Sequence, residues 1–181
     1  MDRWRRTHEA VSRAALELFL ERGYDVTTTA QVAERAGVSE MTVFRHFPAK
    51  EALLLEDPFD PLIADAVRAR PAGEPPMRAL TEGIRQTWTH LDSETLAQLR
   101  IRLRLVAEAS GLRGAVERNS AQTITALSEA LRDRGSGAVE ARVAATATVS
   151  GLSAALLHWA QAEHAPLSDV LNGALDALGG A

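Results

Sequence analysis

The chain has no cysteine among its 181 residues, which rules out disulfides, thiolate zinc sites and thiol nucleophiles. Aromatic residues make up only 4%. A core must therefore be filled by alanine, leucine and valine, which suit close-packed helices better than aromatic-rich strands. An excess of basic charge is missing too: 20 Lys and Arg stand against 24 Asp and Glu, a formal net charge of -4. That excludes a general coat for nucleic acid, although a local patch can still bind phosphate. The opening MDRWRRTHEA lacks the apolar run of a secretory signal, and no stretch is expected to reach the roughly 20 apolar residues that span a bilayer. A cytoplasmic protein without membrane contact is expected.

Catalytic signatures are equally scarce. The five histidines are scattered, with no H-E-x-x-H, no G-x-S-x-G and no glycine-rich phosphate loop. His158 and His164 are six residues apart, a poor spacing for sharing one helix face. We expect no enzymatic activity, no catalytic residue, no metal site and no cofactor.

What is present is helical periodicity over a hydrophobic content of 46%, ample for a globular core. Charge is uneven along the chain: residues 1–50 carry eight basic against seven acidic residues, and residues 51–181 carry twelve against seventeen. In Trp4–Arg22, Val11, Ala14, Ala15, Leu18 and Phe19 follow the i, i+3, i+4, i+7, i+8 series of one helix face. Gly23 ends that helix. Thr28 and Gln31 form a capping-box pattern that opens a short helix through Val32, Ala33 and Ala36. Gly37 supplies a turn, Ser39 caps a third helix with Glu40 at its positive end, and Pro48 limits it. Further helices are expected from Lys50 through Leu55 to a break at Asp57-Pro58, then over Phe59–Arg70, Met77–Leu91, Ser93–Ala109, Leu112–Asp133, Val139–Glu163 and Leu167–Leu178. No alternating run suggests a strand. The chain reads as all-α with about nine to ten helices, divided into a module at 1–50 and a helical bundle at 51–181.

Two short helices joined by a glycine-containing turn make a helix-turn-helix. Ala33 is small enough for close crossing, Gly37 accepts a positive φ, and Val38, Val43 and Phe47 can bury the inner face of the second helix. Glu40, Met41, Thr42, Arg45 and His46 are left to the outer face and ends, the arrangement that enters a major groove with its first residues nearest the bases.

The same residues carry a family likeness. Ala15-Leu-Glu-Leu-Phe19, Gly23-Tyr-Asp25, Thr27-Thr28, Val32-Ala33-Glu-Arg-Ala36-Gly37-Val38-Ser39, Thr42-Val-Phe-Arg-His-Phe47 and Lys50-Glu-Ala-Leu53 together resemble the TetR family of transcriptional regulators over about residues 5–55. The resemblance implies an all-α homodimer that represses transcription until its carboxy-terminal domain takes up a small molecule. It also implies that Thr28 and Lys50 meet phosphates, that Ser39, Met41 and Thr42 read bases, and that Phe44, Arg45 and His46 lie near the DNA backbone, with Glu40 in the same interface. Three positions depart from the family pattern. Phe44 replaces a tyrosine and its hydroxyl, Met41 replaces a glycine and offers apolar contact to a thymine methyl, and Ala49 removes a cap from the fourth helix.

The acidic remainder must supply dimerisation and regulation. Val139–Glu163 is rich in small residues, so Ala147, Gly151, Ala154, Ala155 and Trp159, with Leu171 and Leu175 of the last helix, are the expected dimer interface; the core of a monomeric bundle would leave the same pattern. Trp88, His90, Leu99, Arg100, Leu103, Arg104, Val106, Ile124 and Leu127, on the central helices where the family's pockets usually form, are the expected ligand residues. The arginine-spaced run Leu99–Val106, followed by Glu108–Leu112, resembles a TetR subgroup described as binding acyl-CoA-like ligands, which implies an apolar or acyl-like effector. A guanidinium there could take a carboxylate or phosphate, or Arg104 could simply pair with Glu108. The partners expected are a double-stranded DNA operator, a second copy of the chain and that effector. The competing reading is an architectural or recruiting DNA-binding protein that needs no effector.

Overall fold

A computed structural model describes residues 3–56, 60–88, 91–162 and 165–179, with the side chain of Ser110 left aside. Among the described residues there are ten α-helices and no strand: α1 Arg3–Arg22, α2 Thr29–Ala36, α3 Glu40–His46, α4 Ala52–Leu55, α5 Asp60–Arg68, α6 Pro76–Trp88, α7 Ser93–Glu108, α8 Arg113–Asp133, α9 Ala138–Gln161 and α10 Leu167–Gly179. A single 3-10 turn, Ser110–Leu112, precedes α8. The expected all-α class is observed. The Asp57-Pro58 break, His90 and His164 lie outside the described residues.

The backbone separates into two compact units, 1–56 with 101–116 and 57–100 with 117–181. The first division therefore falls at residue 56 rather than at the expected 50, and it recruits a distant segment. The physical reason is burial: Leu53 and Leu54 of α4, Leu105 of α7, and Ala109, Leu112 and Ala115 join one core with Val11, Ala14, Ala15, Leu18 and Phe19 of α1, Val32 and Ala33 of α2, and Val43 and Phe47 at α3. Arg102 helps fasten the added segment, donating to Ser12 Oγ at 2.6 Å and to the Glu56 carbonyl at 3.4 Å. α4 begins without a side-chain cap, but its N-cap position is Glu51, two residues beyond Ala49, where the cap was expected to be missing.

In the second unit α6, α9 and α10 pack mutually and α5 lies on α6. α9 buries Ala141, Ala144, Ala145, Thr148, Leu152, Trp159 and Ala160. This helix is also long and apolar enough by composition to cross a membrane, which corrects the expectation that no stretch reaches that length. Its hydropathy comes from valines and leucines set among many alanines, whose small side chains let neighbouring helix backbones approach. α5 and α6 make the closest approach at Gly83. A Cβ there would sit 2.9 Å from Val67 Cγ2 and 3.2 Å from the Val67 backbone nitrogen, so the glycine is required by space. Replacing it by leucine should cost about 1–3 kcal/mol, read as a lower urea midpoint. Gly73→Ala, where an added Cβ meets nothing within 4 Å, should change little; equal losses from the two would refute the close-crossing account.

Candidate nucleic-acid interface

The helix-turn-helix is assembled by caps and one left-handed residue. Thr28 Oγ1 accepts from Gln31 N at 3.2 Å while Gln31 Oε1 accepts from Thr28 N at 2.9 Å, completing the capping box. Gly37 turns the chain at φ 68°, a conformation that side-chain-bearing residues adopt at a cost. Ser39 Oγ then accepts from Thr42 N at 3.2 Å and shares a hydrogen bond with the Thr42 hydroxyl at 2.9 Å. Thr29 Oγ1 donates to Glu40 Oε1 at 2.6 Å, so the acid expected in the interface ties the starts of α2 and α3 together.

Burying Val43 and Phe47 fixes which face of α3 looks outward. Met41 is 77% exposed and Phe44 and Arg45 are also exposed. Arg45 makes no hydrogen bond or ion pair among the described residues. Thr28, Ser39 and Glu40 are exposed and Thr42 is half-buried. Lys50 is half-buried: its Nζ donates to the Asp25 carbonyl at 3.2 Å and sits 4.3 Å from the Tyr24 ring centroid. Burial lowers the Lys50 ammonium from its ordinary value, and burial, with Glu51 and Asp25 nearby, pushes the Tyr24 phenol up to about 12.

His46 requires correction as a residue near the DNA backbone. Only 7% of it is exposed, and its ring packs against Trp4 at 4.8 Å and His8 at 5.7 Å, with His8 stacked on Phe47 at 4.3 Å. The spacing Val43, His46, Phe47 already put this histidine on the inner face, and the Trp4, His8 pair at i, i+4 supplied the surface that receives it. Desolvation lowers the His46 imidazole from its ordinary value, helped by the charges of His8 and Arg45.

The expected ligand residues do not come together in one unit. Leu103 and Arg104 belong to the first unit, whereas Trp88, Leu99, Arg100, Ile124 and Leu127 belong to the second. Leu127 is buried, Arg104 is exposed and the others are half-buried. Arg100 is fastened rather than offered to a pocket: its guanidinium lies 4.4 Å from the Trp159 ring and donates to the Ala165 carbonyl at 3.2 Å, which also accepts from Trp159 Nε1 at 3.0 Å. A shallow groove of about 330 Å³ in the second unit is lined by other residues, among them Asp60, Arg68, Asn119 and Thr123. Burial raises the Asp60 carboxyl, partly offset by the Thr123 hydroxyl that donates to it at 2.6 Å.

Several expected dimer residues also need correction. Trp159, Leu171 and Leu175 are buried within the protomer, so they have no surface left to bury against a partner. Gly151 serves α10 of its own chain, since a Cβ there would meet the Leu178 side chain at 3.1 Å. Ala147 and Ala155 are half-buried and Ala154 is exposed. On the outward face of α9, Val139, Val143, Ala147, Ser150 and Ala154 instead follow a stripe three and four residues apart, with Val143 62% exposed.

Comparison with known proteins covers both parts of the chain. Residues 12–56 match the bacterial regulatory proteins of the tetR family, and residues 74–181 match the MftR C-terminal domain. The HTH-type transcriptional regulator TcmR of Streptomyces glaucescens is 43% identical over 83 residues, 45% of this chain. That match spans only 37% of TcmR's own length. Thermus thermophilus FadR, a TetR-family repressor solved with lauroyl-CoA, is 26% identical with a TM-score of 0.55, covering 94% of this chain and 92% of that one. A TetR-family regulator from Streptomyces coelicolor A3 has the same fold, with 23% identity, a TM-score of 0.59, and 96% and 93% coverage.

The buried His46 makes a testable contribution to stability. A histidine whose folded value lies below its ordinary 6.5 contributes stability above that pH and loses it as the pH falls below, because the unfolded chain then binds the extra proton. The wild-type urea midpoint should fall between about pH 7.5 and pH 5.5, and His46→Phe should flatten that fall. An equally steep profile in the variant would show that His46 is not responsible.

Proposed function

We infer the function from an established premise, that the chain belongs to the TetR family of bacterial regulatory proteins: it is a cytoplasmic, homodimeric repressor that leaves its DNA operator when a small molecule binds the carboxy-terminal unit. The observation that carries this reading is the outward face of α3. Met41, Phe44 and Arg45 project from a helix whose other side is locked in the core, the form that a major groove accepts. One such helix reads few base pairs, so two related by a two-fold axis are needed to specify a site. The stripe of small and apolar side chains at Val139, Val143, Ala147, Ser150 and Ala154 supports α9 as the seat of that symmetry. An apolar or acyl-like effector is supported by the likeness of the carboxy-terminal segment to the MftR C-terminal domain and by the lauroyl-CoA found in FadR. The role is regulatory rather than enzymatic.

Selection of bound duplexes from a random library tests the reading directly, because a dimeric reader enriches a two-fold symmetric sequence. On that duplex Arg45→Ala should reduce the slope of log affinity against log salt by about 0.9, the loss of one phosphate contact. Fluorescence anisotropy at several salt concentrations measures this, and an unchanged slope would remove Arg45 from the interface. Independently, Val143→Glu should turn the dimer into a monomer in sedimentation velocity while leaving the helical signal intact. A variant that still sediments as a dimer would move the interface off this stripe.

A further inference from the structure

The chain holds no cysteine and three methionines, so thioethers are its only sulfur groups open to oxidation. Met1 lies outside the described residues. Met77 of α6 is half-buried, and its sulfur accepts from the hydroxyl of the fully buried Thr148 at 3.4 Å. Met41 is placed differently. It is the second residue of α3 and stands 77% in water. Methionine normally serves a fold by filling irregular gaps in a core, and Met41 fills none. Its sulfur is open to a small oxidant, and a change of polarity there disturbs no packing.

The position gives that exposure a consequence. Val43 and Phe47 bury the inner side of α3, while Met41 and Phe44, three residues apart, are neighbours on its outward face. This apolar pair is what the helix presents to a groove. Oxidation to the sulfoxide turns a flexible apolar side chain into a polar, chiral one. In the free chain the new oxygen stays solvated. Against DNA it must give up water, and a thymine methyl offers it no hydrogen bond in return. The penalty therefore falls on the complex and not on the fold.

We propose that Met41 is a reversible oxidation site through which a peroxide loosens the grip of α3 on DNA. The proposal rests on the DNA-binding reading above. The sulfur lone pair attacks one peroxide oxygen, so that the S–O bond forms as the O–O bond breaks. Sulfur loses two electrons, and the departing hydroxide takes the proton of the transferred hydroxyl, which leaves water. A methionine sulfoxide reductase reverses the step, with two thiols giving a disulfide and water.

The test treats the full chain with hydrogen peroxide and locates the added oxygen by peptide mass mapping. Anisotropy on the duplex selected from a random library then compares treated with untreated protein. Oxygen should appear at Met41 before Met77, and affinity should fall roughly tenfold, the loss of one apolar base contact. The melting temperature should stay unchanged, and a sulfoxide reductase with dithiothreitol should restore binding. For Met41→Leu the ratio of treated to untreated affinity should lie near one, whatever its starting value. Met77→Leu should respond as the wild type does. If protein carrying sulfoxide at Met41 binds as tightly as before, this site is refuted and the DNA-binding reading stands. A Met41→Leu chain that still loses affinity on treatment would move the effect to another residue. If the untreated wild-type chain selects no duplex at all, both readings fail together.

Discussion

α3 has seven residues, and a helix that short does not persist in water on its own. Its existence depends on burying Val43 and Phe47 against Val11, Ala15, Leu18 and Phe19. Each of those two side chains contributes about 1.5–3 kcal/mol by leaving water, so together they outweigh a cap, which supplies about 0.5–2 kcal/mol. The Ser39 cap and the Gly37 turn then choose where the helix starts. Because the same core takes in Leu53, Leu54, Leu105 and Leu112, the aim of α3 is set by the whole first unit. A recognition helix built this way is rigid for reasons that lie far from its exposed face.

Charge plays a smaller part than a DNA-binding protein would suggest. The chain is net acidic, and most of its arginines are committed elsewhere. Arg35 bridges Glu21 and Glu17 between α2 and α1, Arg85 joins Asp176 and Asn172 of α10, and Arg134 donates to the carbonyls of Arg70, Pro71 and Glu74. These are exposed or partly exposed interactions, worth little individually, but they tether loops and helix ends.

Most helix boundaries were legible because periodicity, caps and breakers agreed. The series at Val11–Phe19, the Thr28–Gln31 box and the Gly37 turn all appear where local rules put them. What escaped was tertiary. Leu171 and Leu175 carry the same apolar signal whether they face their own core or a partner, and only packing told them apart. His46 looked like an interface residue by type, yet its register with Val43 and Phe47 sent it inward. The arginine run of α7 suggested a ligand by its spacing. In the fold, Arg100 stacks on Trp159 and Arg102 reaches Ser12, partners more than fifty residues away that no local pattern could reveal.

These assignments narrow what α3 has left for reading bases. Thr28 is occupied by its cap, Glu40 by Thr29, Lys50 by Tyr24 and the Asp25 carbonyl, and His46 by the aromatic stack. Ser39 and Thr42 satisfy one another in part. The uncommitted groups are therefore Met41, Phe44 and Arg45, two apolar surfaces and one cation. Apolar side chains discriminate through the thymine methyl, whereas polar ones discriminate through paired hydrogen bonds to base edges. Leaving two large apolar side chains in water serves no packing purpose in this unit, and contact with thymine methyl groups would give that exposure a use. If this face enters a major groove, the two departures on it, methionine at 41 and phenylalanine at 44, would turn recognition toward shape and methyl contact.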